Sequence, residues 1–243
     1  RRVLFRSKLT ISECFNRVAF YEKALRDAAK LKLMVNFHGA NKPTGESRTY
    51  PNEMTREGIL GLEACRVTGL TPTHNALLPF VRGLAGHTDF TPTTFNPGRM
   101  CGGSCAHYLA QPIVYFSAVT HYADRPEMYL NNPLSAAGLP ILKSIPTVWD
   151  ETMVLPETII GRDAIIARRK GERWLLGMLN GGEARTVDLK LGFLGAGKWK
   201  ALVVSDASDF GLVSEAREVS GGGSLGEMRI KAGGGLAVSF ERA

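Results

Sequence analysis

The sequence of 243 residues has no run of about 18 apolar residues, which predicts that no segment spans a membrane. Its start has no methionine, apolar core or cleavage site, so we expect no signal peptide. Four cysteines are too few for a disulfide framework in a chain of this length. Cys101 and Cys105 could form a thiol pair or a disulfide. A zinc site is not indicated, because no second cysteine pair completes it, although His107 lies nearby.

An excess of acidic residues is also missing, since 30 Lys and Arg against 23 Asp and Glu give a net charge of +7. Four of the basic residues precede any clear element, and the only tight basic run is at residues 168–170. A nucleic-acid-binding protein concentrates its positive charge on one face or element. We therefore interpret this charge as a solvated surface and expect no nucleic-acid partner.

The first part of the chain alternates between helical and strand patterns. Apolar residues with helical spacing at 11–30 precede an apolar run at 31–37, which is typical of a buried parallel strand. Further helices are predicted from Thr55 to about Arg66, at 74–86, and at 105–123 with a kink at Pro112. A short strand end is predicted at 88–92, and a helix followed by a strand at 139–152. This order favours a parallel sheet or (β/α)8 barrel.

The character of the sequence changes after about residue 156. Short β-rich runs, punctuated by glycine-containing turns, favour an antiparallel sandwich. We therefore predict an α/β chain with two domains: residues 1–154 form a partial catalytic (β/α)8 barrel, the C-terminal half of a TIM barrel, and residues 155–243 form a small antiparallel β-sandwich.

The loop after the first predicted strand carries the residues with chemical potential. His38 and Gly39 follow the strand directly, and Glu57 and Glu63 lie on or near the next helix. In a barrel the active site lies on such loops. Carboxylates there can protonate a leaving group, act as base or nucleophile, or hold a hard cation. Spacing alone leaves other roles open, because acids also favour helix N-termini and solvated surfaces.

Four sequence blocks occur in an order that resembles glycoside hydrolase family 97, whose members are bacterial, calcium-dependent and act on α-linked sugars. The blocks are VNFHGANKPTGESRTYPNEMTREGILGLE, HNALLPFVRGLAGHTDFTP, IPTVWDETMVL and AIIARRKGERWLLGMLN. The resemblance implies the second half of the catalytic barrel and the final sandwich. It also implies calcium as cofactor, an oligosaccharide or glycoside as substrate, and a periplasmic or secreted location.

The resemblance assigns roles to individual residues. Glu63 matches the general acid and lies against the calcium, Glu57 matches a calcium ligand, and His38 matches a histidine at the sugar site. Gly39 stands where inverting members have a glutamate base, which implies a retaining enzyme. Retaining members have α-galactosidase activity as precedent, with α-glucosidase activity of the same family as the alternative. Asp89 could contact sugar hydroxyls or cap the structure.

The start of the chain departs from the family pattern. The nucleophilic aspartate of retaining members is expected near Lys8, but the sequence has no acid before Glu13. RRVLFRS also reads as translated sequencing adapter, so residues 1–9 could be non-native. We therefore expect a fragment without its nucleophile, inactive by itself. The alternative is a non-catalytic carbohydrate-binding or structural piece. His74, His107 and His121 are interpreted as structural.

Overall fold

The computed structural model describes residues 4–8, 15–67 and 69–243. Three parallel strands begin the fold: β1 (Leu4–Lys8), β2 (Met34–His38) and β3 (Glu53–Arg56), in the order β1-β2-β3. Helix α1 (Phe15–Lys30) joins β1 to β2, as parallel strands require a crossover. The predicted start of α1 at residue 11 lies outside the described residues. In the described part of the chain no helix is long and apolar enough to cross a membrane.

The predicted helix from Thr55 to Arg66 is wrong. Thr55 lies inside β3, paired with Asn36 of β2, and only Leu62–Arg66 is helical, as a 3₁₀ turn. The short helix α2 (Glu46–Thr49) lies in the loop between β2 and β3. The glycines that follow β3 favour a bend over a helix, because Gly58 has a positive φ of 48°.

Two of the other predicted helices are shorter than expected. Helix α3 (Pro72–Leu77) is followed by 3₁₀ turns Leu78–Phe80 and Arg82–Ala85. Helix α4 (Cys105–Val114) ends nine residues before the predicted end. Helix α6 (Leu139–Ser144) agrees with the short helix expected there, and α5 (Glu127–Leu130) has no counterpart in the prediction. Residues 88–92 form no assigned strand. Pro112 stays inside α4 because the Thr93 hydroxyl donates to the Tyr108 carbonyl (2.9 Å), replacing the missing proline N–H.

The second part of the chain is mainly antiparallel. Its strands are β4 (Glu151–Val154), β5 (Asp163–Lys170), β6 (Arg173–Asn180), β7 (Arg185–Lys190), β8 (Lys198–Asp206), β9 (Leu212–Ser220), β10 (Ser224–Ile230) and β11 (Gly235–Arg242). Six form a sheet in the order β4-β5-β6-β11-β8-β9, and β10 pairs with β7. Buried side chains of both sheets, such as Trp174, Leu189 and Met228, share one core, so the sheets pack face to face.

The opposite face of the six-stranded sheet packs against α4. Tyr108, Leu109 and Ile113 of α4 share a second core with side chains of β5, β6, β8 and β11. Gly177 allows this approach, because a Cβ there would lie 2.9 Å from the Val114 side chain. Asp206 of β8 caps α4 by accepting hydrogen bonds from the Ser104 hydroxyl (2.6 Å) and the Ala106 amide (3.0 Å).

The edge strands of the large sheet are the elements that the sequence identifies least well. Strand β9 is mostly exposed, and no strand is predicted over it, because its charged residues break the apolar alternation. Strand β4 is exposed throughout and pairs with β5. It begins at Glu151, whereas the strand expected within residues 139–152 is predicted to end near Trp149, so that prediction is wrong in its position. The division into residues 1–154 and 155–243 stays a prediction. Strand β4 lies before this boundary in the sequence but pairs with β5 of the C-terminal sheet.

His107 is a fully buried side chain at the contact between α3, α4 and β11. Its Nδ1 lies 3.2 Å from the Gly234 carbonyl oxygen, and its Nε2 lies 3.1 Å from the Asn75 amide nitrogen. A carbonyl only accepts, so Nδ1 carries the proton and Nε2 accepts from Asn75. Burial lowers the pKa of His107 from 6.5 to about 4, against the smaller opposing effect of the bond to Gly234. The expected structural role of His107 agrees with this environment.

We expect the stability of the chain to fall on mild acidification because of His107. The unfolded chain binds this proton near pH 6.5 and the folded chain only near pH 4, so acid favours unfolding between these values. The contribution is about 1.4 kcal/mol per pH unit. Urea denaturation at several pH values gives the free energy of unfolding as a function of pH. This free energy should fall less steeply with acidification for His107→Gln than for wild type, and an equal pH dependence of the two proteins would contradict the assignment.

Candidate active site

The carboxyl ends of β2 and β3 lie at the same edge of the parallel sheet. His38 is the last residue of β2, and Glu57 follows the last residue of β3. Phe37 pairs with Arg56, and the Glu57 amide donates to the Phe37 carbonyl (2.8 Å). The parallel register therefore places the side chains of His38 and Glu57 beside each other.

Three side chains converge at this edge: His38, Glu57 and Glu63. Each offers one nitrogen or oxygen atom, and these atoms all lie within 4.8 Å of one another. His38 is buried, Glu57 is half-buried and Glu63 is exposed. His38 Nε2 lies 3.3 Å from one carboxylate oxygen of Glu57. The structure thus brings together three residues that sequence reasoning selected from a stretch of 26.

Gly39 contributes a backbone group to this cluster. Its amide donates a short hydrogen bond to the second carboxylate oxygen of Glu57. Its φ is 68°, a conformation that glycine adopts without steric cost. Position 39 therefore supplies no side chain and directs its N–H at Glu57.

The 3₁₀ turn Leu62–Arg66 carries Glu63 and is held from two sides. The Leu62 amide donates to the Phe90 carbonyl (3.1 Å), and a disulfide joins Cys65 to Cys101. The open question of a bond between Cys101 and Cys105 is thereby answered, since Cys105 is a buried free thiol. The two tethers limit how far Glu63 can move away from Glu57.

Asp89 reaches the same region but presents no carboxylate oxygen to solvent. Its side chain is completely buried and accepts from the Asn36 amide (2.6 Å) and from His121 Nδ1 (3.2 Å). Burial, the largest influence, raises the pKa of Asp89, but these hydrogen bonds, together with smaller electrostatic contributions from His121 and His38, outweigh it, and the net shift is downward. Asp89 is therefore an ionised acceptor held between Asn36 and His121.

The acids at the predicted end of the barrel have local partners elsewhere. Asp150 accepts from the Gly171 amide (2.8 Å) and from Lys170 (2.8 Å), and Glu151 pairs with Arg169 (3.0 Å). All these partners belong to β5 or to the turn that follows it. Asp150 and Glu151 therefore support the β4–β5 edge.

Arg82 is a site-supporting residue that sequence reasoning missed. Its buried guanidinium donates to the backbone carbonyls of Glu57 (2.8 Å) and Gly58 (3.0 Å), and also to those of Arg56, Gly86 and His87. Among the described residues it has no ionic partner within salt-bridge distance. Burial lowers the pKa of Arg82 to about 10, which still leaves it charged at neutral pH. In the sequence, only its position directly before Gly83, ahead of the strand end predicted at 88–92, could have indicated such a role.

Comparisons with known proteins agree on one class, the glycoside hydrolases. Residues 8–59 match the family description "Glycoside hydrolase 97", and residues 148–241 match "Glycosyl-hydrolase 97 C-terminal, oligomerisation". Together the two matches cover more than half of the chain. The chain belongs to glycoside hydrolase family 97.

Individual relatives cover most of the chain. A probable retaining alpha-galactosidase of Streptomyces bingchenggensis is 38% identical over 94% of the chain, and a retaining alpha-galactosidase of Bacteroides thetaiotaomicron is 32% identical over 77%. A family 97 enzyme of Pseudoalteromonas sp. strain K8, solved with acarbose, is 30% identical over 92% of the chain with a TM-score of 0.82; a variant of an enzyme from this strain was solved with panose. The chain spans 35%, 30% and 37% of these three proteins.

Replacing Arg82 should test how far the Glu57 region depends on it. Arg82→Lys keeps the charge but has one nitrogen in place of three, so several carbonyls lose their donor. We expect a loss of about 2–3 kcal/mol in unfolding free energy and faster amide exchange at residues 56–58. Urea denaturation and hydrogen exchange measure these effects. The exposed Arg125→Lys is the control, and an Arg82→Lys protein that matches it would contradict the supporting role.

Proposed function

We propose that this chain is the acid-bearing part of a retaining glycosidase that acts on α-linked galactose. The observation that carries the proposal is the convergence of His38, Glu57 and Glu63 at the carboxyl ends of parallel strands. The chain spans about a third of its relatives, so the activity belongs to a longer protein.

The parallel sheet supports the more specific proposal that the first part of the chain is half of a TIM barrel. Beyond β3, the Asp89 amide donates to the Arg56 carbonyl (3.1 Å), and the Thr88 amide donates to the Phe116 carbonyl (2.8 Å). The segments at 88–89 and 116–117 therefore continue side by side from the sheet. Such succession, with the candidate residues at one edge, is the arrangement of the C-terminal half of a (β/α)8 barrel.

Glu63 is the proposed general acid and base. In the first step its carboxyl proton passes to the glycosidic oxygen as the bond to the anomeric carbon breaks. An aspartate from outside the described residues attacks that carbon and forms the glycosyl-enzyme ester. In the second step Glu63 takes a proton from water, whose oxygen attacks the anomeric carbon and releases the aspartate. Glu63 gives up one proton in the first step and regains one in the second, so it is protonated again at the end of the cycle.

Gly39 supports retention over inversion. An inverting enzyme holds a second carboxylate that activates water, with about 6.5–9.5 Å between the two carboxyl groups. Gly39 has no side chain for that task, and its backbone amide donates to Glu57. The base of an inverting mechanism is therefore absent at residue 39, which leaves room for direct attack.

The residues at the cluster fit a calcium ion in part. Calcium prefers oxygen ligands, which the carboxylates of Glu57 and Glu63 supply, whereas an imidazole nitrogen is a poor ligand for it. His38 instead pairs with Glu57, which suits its proposed place at the sugar. When bound, calcium would add positive charge beside the acid and shift carboxyl pKa values.

The names of the relatives support galactose as the proposed sugar. The two curated relatives are named as a probable retaining alpha-galactosidase and a retaining alpha-galactosidase. The variant from Pseudoalteromonas was solved with panose, which consists of glucose units, so α-glucosidase activity is the second candidate. In a full-length protein carrying this sequence, faster turnover of nitrophenyl α-galactoside than of nitrophenyl α-glucoside would support galactose, and the reverse would support glucose.

A periplasmic or secreted location is proposed, and the Cys65–Cys101 disulfide supports it, because such bonds persist in oxidising compartments.

Metal binding can be tested on the 243-residue chain itself. We expect a single terbium site, since terbium substitutes for calcium at oxygen ligands, and competition by calcium. Glu57→Gln removes one of two carboxylate ligands and should weaken binding at least tenfold. The exposed Glu127→Gln is the matched control. Equal affinity of both variants, measured by terbium luminescence, would remove the metal from the proposal.

The role of Glu63 is tested in a full-length protein carrying this sequence. Glu63→Gln should abolish most turnover of galactosides with alkyl leaving groups, because the leaving oxygen needs a proton. Aryl galactosides with acidic phenols should lose much less. Steady-state kinetics on both substrates measure the difference. An equal loss on the two would count against the acid, and robust hydrolysis by the 243-residue chain would count against the missing nucleophile.

A further inference from the structure

A histidine that sequence reasoning treated as structural has the environment of a ligand-binding residue. We infer that His121 accepts a hydrogen bond from a sugar hydroxyl at the proposed site and that Asp89 is its positioning residue. This inference rests on the proposed function, because it uses the same strand-end edge as His38 and Glu63.

The backbone places His121 at that edge. The Thr88 amide donates to the Phe116 carbonyl, and the Ser117 hydroxyl bonds to the Thr55 hydroxyl of β3 (2.9 Å). Ser117 therefore lies beside Thr55, and His121 follows four residues later in the chain. Contact between His121 and Asn36 of β2 (3.5 Å) confirms that its ring lies beside the sheet near His38.

The hydrogen bond to Asp89 fixes the orientation of the His121 ring. Asp89 is completely buried and ionised, so its oxygens can only accept. The proton between them, 3.2 Å heavy atom to heavy atom, therefore sits on His121 Nδ1. Asn36 holds the other oxygen of Asp89 at 2.6 Å, which keeps the carboxylate in place. A carboxylate that fixes the tautomer of a neighbouring imidazole is a common device of functional histidines.

Part of the His121 ring reaches the surface, and its second nitrogen, Nε2, is available for a ligand. The side chain is 27% exposed, and every polar contact of this ring within the described residues uses Nδ1. When the ring is neutral, Nε2 carries a lone pair and needs a donor. A sugar hydroxyl is such a donor, and a site built to accept from it discriminates strongly against sugars that lack it.

The predicted contact of Asp89 with substrate is thereby reinterpreted. Its carboxylate has no exposed surface for a sugar, whereas His121 does. Asp89 would act on substrate through His121, by holding the tautomer that leaves Nε2 unprotonated. A purely structural Asp89–His121 pair would not require a partly exposed imidazole ring.

Imidazole nitrogen NMR on the 243-residue chain tests the orientation. We expect His121 to show a protonated Nδ1 and an unprotonated Nε2. Asp89→Asn presents the ring with an amide in place of a carboxylate, and the signal should change to a mixture of tautomers. A protonated Nε2 in the neutral wild-type ring would overturn the inference, as would a tautomer unaffected by Asp89→Asn.

Kinetics on monodeoxy galactosides test the contact in the full-length protein. His121→Ala should lower kcat/KM about tenfold on the complete sugar. On the one deoxy sugar that lacks the contacted hydroxyl, wild type and variant should be equal. His74→Ala is the control and should follow wild type on every sugar. An equal loss for His121→Ala across the series would overturn the contact while leaving the proposed function intact. A wild-type protein inactive on all α-glycosides would overturn both.

Discussion

The candidate site depends on one buried cation, Arg82, which among the described residues forms no salt bridge and donates only to neutral oxygens. Arg82 donates to the carbonyls at the end of β3, at Glu57 and Gly58, and at Gly86 and His87. These carbonyls lie where the chain leaves regular structure, and of them the Arg56 carbonyl also accepts from the Asp89 amide. A single planar fork satisfies them together. The bend that turns Glu57 toward His38 and the segment that leads to Asp89 are therefore fixed by the same side chain.

Much of the site was predictable from the sequence, because its residues lie next to one parallel strand. His38 and Gly39 follow an apolar run that predicts the strand, and the family motif identifies Glu57 and Glu63. What sequence could not give is contact between distant segments. The helix predicted from Thr55 was wrong because pairing of β3 with β2 overrides local pattern. Sequence also could not show that Cys65 pairs with Cys101, since spacing does not determine connectivity.

The C-terminal part shows the same limit in another form. Strands with alternating or continuous apolar residues, such as β5 and β6, were identified because burial shapes their sequence. Edge strand β9 was missed because one row of its backbone groups and most of its side chains face water. The coupling of the sheet to α4 through Asp206 also escapes pattern analysis, because an aspartate at a strand end looks like any other turn residue.

The Cys65–Cys101 disulfide has a consequence for how the protein is produced. It closes a loop across 36 residues, and in the chain-entropy view such a cross-link disfavours the unfolded chain by about 4 kcal/mol. In a reducing cytoplasm this disulfide does not persist. The turn that bears Glu63 then keeps only the hydrogen bond from Leu62 to Phe90 of the two tethers described above. Material made in an oxidising compartment is therefore the form in which the geometry of the acid is preserved.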